Sequence, residues 1–152
     1  MTADELREEI SIELELLGAV IGEISALRQD VREREPTVRE KTAAAAFLAQ
    51  FYGGVENILK RIHRFHVLHP PTGDTWHTDL FRRYCEPPFG DLPLLFDEKL
   101  AAEMAPYRKF RHVVYHGYGF QMDWDRMTEG IELIADVFSR FKTTLAEYLL
   151  TL

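Results

Sequence analysis

Residues 123–152, DWDRMTEGIELIADVFSRFKTTLAEYLLTL, carry the clearest structural signal in the chain. Apolar side chains recur there every three or four residues, which places them on one face of an α-helix: Met127, Ile131, Ile134, Phe138, Phe141, Leu145, Tyr148 and Leu152. Asp123 or Asp125 is a suitable N-cap, because a short side-chain oxygen accepts a hydrogen bond from the unpaired backbone N–H groups of the first turn. A long helix of this kind is stabilised mainly by burying its apolar face, so the stretch predicts a packed helical element.

The same spacing predicts two long helices in the first half of the chain. Apolar residues between positions 6 and 31 form a single stripe, for which Thr2 or Asp4 is the candidate N-cap. Pro36 ends this pattern and suits the first turn of a second helix, because that turn does not use its missing backbone N–H. The second helix is predicted from Thr37 to about Val67.

Two further helices are predicted in the second half. Within the second helix, which precedes them, the Gly53-Gly54 pair indicates a kink or a tight helix crossing. A short helix is expected at about Thr78–Cys85 and a long one at about Leu95–Val114, in which Pro106 implies a kink or an interruption. The glycines within residues 116–119 are expected to end it.

Size and composition agree with one helical domain. The chain has 152 residues, of which 46% are hydrophobic and 28% charged, enough for a buried core inside a charged surface. With the helix pattern, this predicts an all-α four-helix bundle with an extra short helix, spanning residues 1–152 as one domain. The single cysteine, Cys85, excludes an intrachain disulfide, and no apolar run reaches the roughly 18 residues of a membrane helix. The first residues lack a signal-peptide pattern, so we expect a cytoplasmic protein that makes no membrane contact.

The charge of the chain is unevenly distributed. The formal net charge of −7, from 18 Lys and Arg against 25 Asp and Glu, disfavours nucleic-acid binding at first sight. Residues 1–40 alone hold 11 acids and 5 bases, however, which is a net −6 and nearly the whole excess. Two segments with three Lys or Arg each contain no acid: residues 58–69, the first basic segment, and residues 107–118, the second basic segment. Together they hold five of the six histidines, so local charge leaves a nucleic-acid partner open.

The first basic segment offers a candidate metal site. His63, His66 and His69 are spaced three apart, and the first two would share a helix face, as metal ligands in a helical bundle do. The alternative is a helix end whose positive side chains interact favourably with the C-terminal dipole. We favour the second interpretation, because ligands on facing helices would also be needed, and we expect no metal ion.

The second basic segment places three groups of complementary chemistry close together in the sequence. The arginine type at position 111 offers a permanent positive charge that suits phosphate, the histidine type at 116 a group able to move protons, and Tyr118 a phenol. On an unbroken helix Arg111 and His116 are separated by about 140°, so they do not share a face. They converge only if the helix loosens near His116 or if a second subunit contributes. The alternative is a helix end that carries ordinary surface residues.

Residues 111–118, RHVVYHGY, resemble the R-x4-H-x-Y motif of HepT-type toxins in the HEPN superfamily. The family pattern has a polar residue after the arginine, and His112 takes that place here. Residues 52–62 are similar to the second helix of HepT-like proteins, and residues 71–80 and 120–124 resemble further segments of that branch. The resemblance therefore extends over most of the chain beyond the first helix.

The resemblance implies a HEPN four-helix bundle that forms a homodimer and acts as a metal-independent endoribonuclease without a cofactor. In this reaction the RNA 2′-hydroxyl attacks the adjacent phosphate, His116 would act as acid or base, and Arg111 would stabilise the phosphate charge. The two-fold symmetry of the dimer would supply a second histidine. The resemblance also implies a partner, a minimal nucleotidyltransferase antitoxin (MNT-type). That antitoxin would AMPylate Tyr118, and the added phosphate would repel RNA.

Other polar residues have supporting roles in this interpretation. Glu56 and Arg61 match the family's second helix and are candidates for a buried ion pair with the motif region, or for a solvated helix face. Trp76 and His77 are interpreted as a packing anchor for the long connection between helices. Contact with the RNA backbone, or plain solubility, is considered for four cations: Lys60, Arg64, Arg108 and Lys109.

Three functions from different classes follow from these residues. The leading hypothesis is an endoribonuclease toxin controlled by a nucleotidyltransferase antitoxin. The alternative is a non-catalytic nucleotide- or partner-binding HEPN subunit of a nucleotidyltransferase complex, although the presence of both Arg111 and His116 favours the enzyme. The third is a metal-dependent bundle enzyme that uses the three histidines of the first basic segment.

Overall fold

Helices form the regular structure of the part of the chain that the structure describes, residues 1–117 and 123–152. The computed structural model has no strand in these ranges, and its five helices there are α1 (Ala3–Asp30), α2 (Val38–Phe65), α3 (Trp76–Arg82), α4 (Glu98–His116) and α5 (Trp124–Leu150). Four of the helices are long and α3 has seven residues. The predicted all-α architecture of four long helices and one short helix is confirmed.

The helix starts follow from local sequence. Thr2 and Thr37 each accept a hydrogen bond from the backbone N–H three residues later, where Glu5 and Glu40 bond back to the cap. Each of these capping boxes satisfies two backbone N–H groups that the helix itself leaves unpaired. Of the two aspartates predicted to cap α5, Asp123 is the cap.

The helix ends and the proline show where the predicted boundaries differ. α2 ends at Phe65, about two residues early, and α3 begins two residues before its predicted start. α4 continues through Pro106 to His116, so the predicted interruption is absent. Proline removes only one backbone donor, and the buried Met104 and Tyr107 on either side anchor the helix to the core.

α2 lies at the centre of the core and contacts each of the other four helices. Phe51 on α2 packs edge-on against Tyr107 of α4, with ring centroids 5.1 Å apart, and against Phe138 of α5 at 6.2 Å. Gly54 allows α1 to approach closely, because a Cβ atom at that position would collide with Leu17. The predicted tight crossing at the glycine pair is therefore present. Within the described residues, no helix combines the length and the apolar character needed to cross a membrane.

Candidate active site

An open groove of about 570 Å³ lies beside α3 and α4, and we call it the α3–α4 groove. It collects histidines and cations from three regions of the chain, and its lining residues are Asp74, Thr75, His77, Thr78, Arg108, Lys109, Arg111, His112, Val113, His116 and Arg126. Two of the predicted site residues, Arg111 and His116, thus line the same cavity. The groove joins positive charge with imidazole groups, a combination suited to binding phosphate and moving protons.

Glu56 connects three helices at one side of this groove. It lies on α2 with only 1% of its surface exposed, and its Oε1 is 3.2 Å from Nε of Arg111 on α4. Its other oxygen, Oε2, accepts a hydrogen bond from Nδ1 of His77 on α3 at 2.5 Å. A buried carboxylate requires such partners, because an unpaired charge away from water is very unfavourable. The predicted ion pair between Glu56 and the motif region is therefore present.

His77 belongs to this charged cluster, which was not expected from the sequence. Nη1 of Arg111 lies 3.4 Å from its Nε2, and the Trp76 ring lies against it with centroids 3.5 Å apart. Trp76 itself is half-buried against the core, so the packing role predicted for this pair fits the tryptophan. For His77 that interpretation is wrong, because its side chain bonds to Glu56 and lines the groove.

One sequence signal pointed to a missing partner for Glu56. Glu56 is the only acid between residues 41 and 73, and it follows Tyr52 and precedes Leu59 and His63 at helical spacing. An acid on an otherwise buried helix face requires a cation or hydrogen-bond donors. The pattern did not indicate that the donor would come from α3, because the 10-residue connection between α2 and α3 leaves their relative placement undetermined.

Arg111 and His116 reach the groove without a break in the helix. α4 remains helical to His116, so the predicted loosening near that residue does not occur. His116 follows His112 by one turn, and their rings lie 4.5 Å apart. Arg111 extends from the neighbouring face, and its guanidinium lies 4.6 Å from the ring centroid of Tyr115. The length of the arginine side chain thus brings its charge to the groove in spite of the rotation between the two positions.

The remaining predicted residues separate into two groups. Arg108 and Lys109 line the groove, whereas Lys60 lies outside it with its ammonium 4.5 Å from the Trp76 ring. Arg64 and Arg61 bind acids of α1. The Arg64 guanidinium lies 2.5 Å from the Glu9 carboxylate, and the Arg61 guanidinium lies 2.7 Å from Glu9 and 2.9 Å from Glu13. The prediction that Arg61 pairs with the motif region is therefore wrong, because α1 packs along this side of α2.

The histidines of the first basic segment have separate partners. Nδ1 of His63 lies 2.6 Å from the Tyr84 hydroxyl, and Nε2 of His66 lies 2.7 Å from the Tyr148 hydroxyl. Burial lowers the pKa of His63 and raises the pKa of Tyr148 to about 12, so the tyrosine stays protonated. Across residues 1–117 and 123–152, no three His, Cys, Asp or Glu side chains are grouped to hold a metal ion.

Tyr118, the predicted modification site, lies outside the described residues, as do the neighbouring residues 119–122. The last described residue before them is Gly117, which follows α4 in an extended conformation. The groove is therefore described up to His116, two positions before the tyrosine.

Comparison with known proteins gives one match. A family model described as HepT-like protein matches residues 43–152, which include most of α2 and all of α3, α4 and α5. Glu56, His77, Arg111 and His116 all lie within the matched range. No curated protein and no solved structure matches the chain.

Proposed function

Because the chain belongs to the HepT-like family, we propose that it is a metal-independent endoribonuclease, the toxin of a toxin–antitoxin pair. The observation that supports this activity is the α3–α4 groove, in which Arg111 and His116 line one cavity together with Arg108 and Lys109. These are the groups that phosphoryl transfer from an RNA 2′-hydroxyl requires: positive charge at the phosphate and a group that transfers protons.

Arg111 is the residue that stabilises charge on the phosphate in this proposal. The buried Glu56 carboxylate on α2 lies 3.2 Å from Nε of Arg111, and this ion pair keeps the guanidinium beside a rigid helix. Such preorganisation matters because a group that is already aimed at the developing charge needs no rearrangement during the reaction. Arg108 and Lys109 extend the positive surface along α4, where they would contact neighbouring phosphates of the RNA.

His116 transfers a proton in the same step. RNA cleavage by its own 2′-hydroxyl yields a 2′,3′-cyclic phosphate and a free 5′-hydroxyl, and one proton leaves the nucleophile while another reaches the leaving oxygen. An imidazole suits this task at neutral pH and contributes about 10²- to 10⁴-fold in rate. The reaction needs no metal ion, and we propose that it proceeds in a homodimer.

Control by a partner is the second part of the proposal. Tyr118 follows the groove-lining His116 by two residues in the sequence. We propose that a minimal nucleotidyltransferase, acting as antitoxin, transfers AMP from ATP to the Tyr118 hydroxyl, which loses its proton while pyrophosphate leaves. The added phosphate is negatively charged and would repel the RNA backbone from the groove.

Cleavage of RNA in the presence of EDTA tests the activity. Purified protein should cut RNA at least about 100-fold faster than its His116→Ala variant, because the variant lacks the proton-transfer group. The products should carry cyclic phosphate and 5′-hydroxyl ends, and expression of the wild type should arrest growth. Equal cleavage and equal toxicity for the two proteins would exclude the proposed role of His116. Binding to a nucleotidyltransferase without any cleavage would instead support the non-catalytic alternative.

Mass spectrometry of the coexpressed pair tests the control. The chain should gain the mass of an AMP group when it is produced with a nucleotidyltransferase encoded next to it, and peptide mapping should place the group on Tyr118. The Tyr118→Phe variant should gain no mass and should stay toxic in the presence of the partner. Modification at a different residue, or none, would contradict this part of the proposal.

A further inference from the structure

Glu56 and His77 lie outside the R-x4-H-x-Y motif. His77 nevertheless lines the α3–α4 groove, and Glu56 is hydrogen-bonded to it. His77 belongs to α3, which is separate in sequence from the motif helix α4. Its side chain is 29% exposed, so it is held on one side by the buried Glu56 and is open to the groove on the other.

The hydrogen bond to Glu56 determines which nitrogen of His77 carries a proton. An ionised carboxylate only accepts hydrogen bonds, so Nδ1 at 2.5 Å must be the donor. In the neutral ring this leaves Nε2 as the acceptor, and Nη1 of Arg111 lies at nearly the same distance from both ring nitrogens, 3.4 Å from Nε2 and 3.5 Å from Nδ1. A carboxylate that fixes one tautomer in this way is the arrangement that prepares an imidazole to take up a proton at its other nitrogen.

From this geometry, and resting on the proposed endoribonuclease function, we infer that His77 is the general base of the reaction and His116 the general acid. Nε2 of His77 takes the proton of the ribose 2′-hydroxyl while that oxygen forms a bond to the adjacent phosphorus. The bond between phosphorus and the 5′-oxygen of the next nucleotide breaks, and this oxygen takes a proton from the imidazolium of His116. His77 ends protonated and His116 neutral, and exchange with water restores both.

This assignment gives one chain both proton-transfer groups. The family resemblance implied that the two-fold symmetry of a dimer could supply the second histidine. The groove already holds three histidines of the same chain, His77, His112 and His116. Of these, His77 is the one with a carboxylate hydrogen-bonded to its ring, among the contacts of the described residues. The assignment is compatible with the homodimer of the proposed function.

The pH dependence of the reaction is the first test. The charged and titratable groups that face His77 are Glu56 from α2 and Arg111 from α4, and further ones line the groove: Asp74, Arg108, Lys109, His112, His116 and Arg126. For an RNA oligonucleotide that the wild type cleaves, kcat/KM should rise and then fall with pH, since the base must be neutral and the acid protonated. His77→Gln should lower kcat/KM by about 10²- to 10⁴-fold and should lose the rising limb at low pH. His69→Gln, at an exposed histidine outside the groove, should keep the wild-type profile.

A modified substrate separates the base from the acid. When sulfur replaces the bridging 5′-oxygen at the cleaved position, the thiolate leaves without protonation, so the general acid is no longer needed. His116→Ala should then cleave this substrate at close to the wild-type rate, whereas His77→Gln should stay slow. If His77→Gln does not fold, as judged by its thermal unfolding, His77→Ala with added imidazole replaces it, and imidazole should restore cleavage.

Each result decides a different question. If the wild type cleaves RNA and His116→Ala is slow, but His77→Gln keeps the wild-type rate and profile, the inference about His77 is wrong while the proposed function stands. His77→Gln could instead be slow but keep both limbs of the pH profile, while imidazole fails to rescue His77→Ala. This result would show that His77 only positions Glu56 and Arg111, and it would also overturn the inference about His77. If the wild type cleaves no RNA, the proposed function itself fails.

Discussion

The first basic segment, residues 58–69, and the second basic segment, residues 107–118, each carry three Lys or Arg and no acid. Their cations nevertheless meet different partners in the fold. In the first basic segment, Arg61 and Arg64 bind the α1 acids Glu9 and Glu13. In the second, the cations line an open groove with two histidines of the same segment. Acids of the first helix thus pair with two arginines of the first basic segment, whereas Arg111 of the second pairs with Glu56 of α2.

The comparison shows why the net charge of the chain does not describe the charge at the groove. The formal charge of −7 lies mostly in residues 1–40, and part of that acid is matched by arginines of α2. A partner that approaches the α3–α4 groove meets Arg108, Lys109 and Arg111 instead. Screening limits the reach of the distant acids to roughly 10 Å, so the local cations dominate at the groove.

Removing one arginine from each segment should affect stability very differently. Arg111→Met leaves the buried Glu56 with His77 as its only partner in the cluster, so the free energy of unfolding should fall by about 3 kcal/mol. Arg64→Met should cost less than about 1 kcal/mol, because its side chain is 59% exposed and Glu9 keeps Arg61. Urea unfolding of the two variants measures both values. Equal losses of unfolding free energy in the two variants would show that the burial of the Glu56 carboxylate does not depend on its ion pair with Arg111.

The same pair of segments should differ in RNA binding. In the inactive His116→Ala background, Lys109→Gln should weaken binding several-fold at low salt and reduce the slope of log K against log salt by about 0.7. Arg64→Gln should leave both the affinity and the slope unchanged, because that cation already pairs with Glu9. Fluorescence anisotropy at several salt concentrations provides the comparison. A smaller slope for Arg64→Gln would instead place the RNA on the first basic segment.

His63, the buried histidine of the first basic segment, should make the free energy of unfolding depend on pH. Burial, together with the nearby charge of Arg83, lowers the pKa of His63 in the folded protein. The unfolded chain therefore takes up a proton first as the pH falls below about 6.5, and stability is lost in that range. Between pH 7 and pH 5 the wild type should lose more stability than His63→Gln. Parallel losses in the two proteins would contradict the lowered pKa.

Most of the helical architecture could be predicted from the sequence, because it depends on local patterns. The period of the apolar residues gave the four long helices, and the caps Thr2 and Asp123 were among the named candidates. The ion pairs of Arg61 could not be predicted, since they depend on which face of α1 packs against α2. Helical spacing is a property of one element, whereas this contact is a property of two.

The candidate site divides in the same way. Arg111 and His116 were found because they lie in one short motif, which is visible along the chain. The partnership of Glu56 with His77 joins residues 21 positions apart on different helices, and only the packing of α3 onto α2 creates it. The lone acid in an apolar helix face indicated that a donor was needed, but the sequence did not identify the donor.

Cleavage rates of two matched variants test most directly whether the second basic segment is the catalytic one. His116→Ala and His69→Ala remove the same side chain from the second and the first basic segment, and both histidines are exposed. With RNA in the presence of EDTA, His116→Ala should be at least about 100-fold slower than the wild type, and His69→Ala should be unchanged. Wild-type cleavage by His116→Ala, or an equal loss in both variants, would contradict the assignment of the α3–α4 groove as the active site.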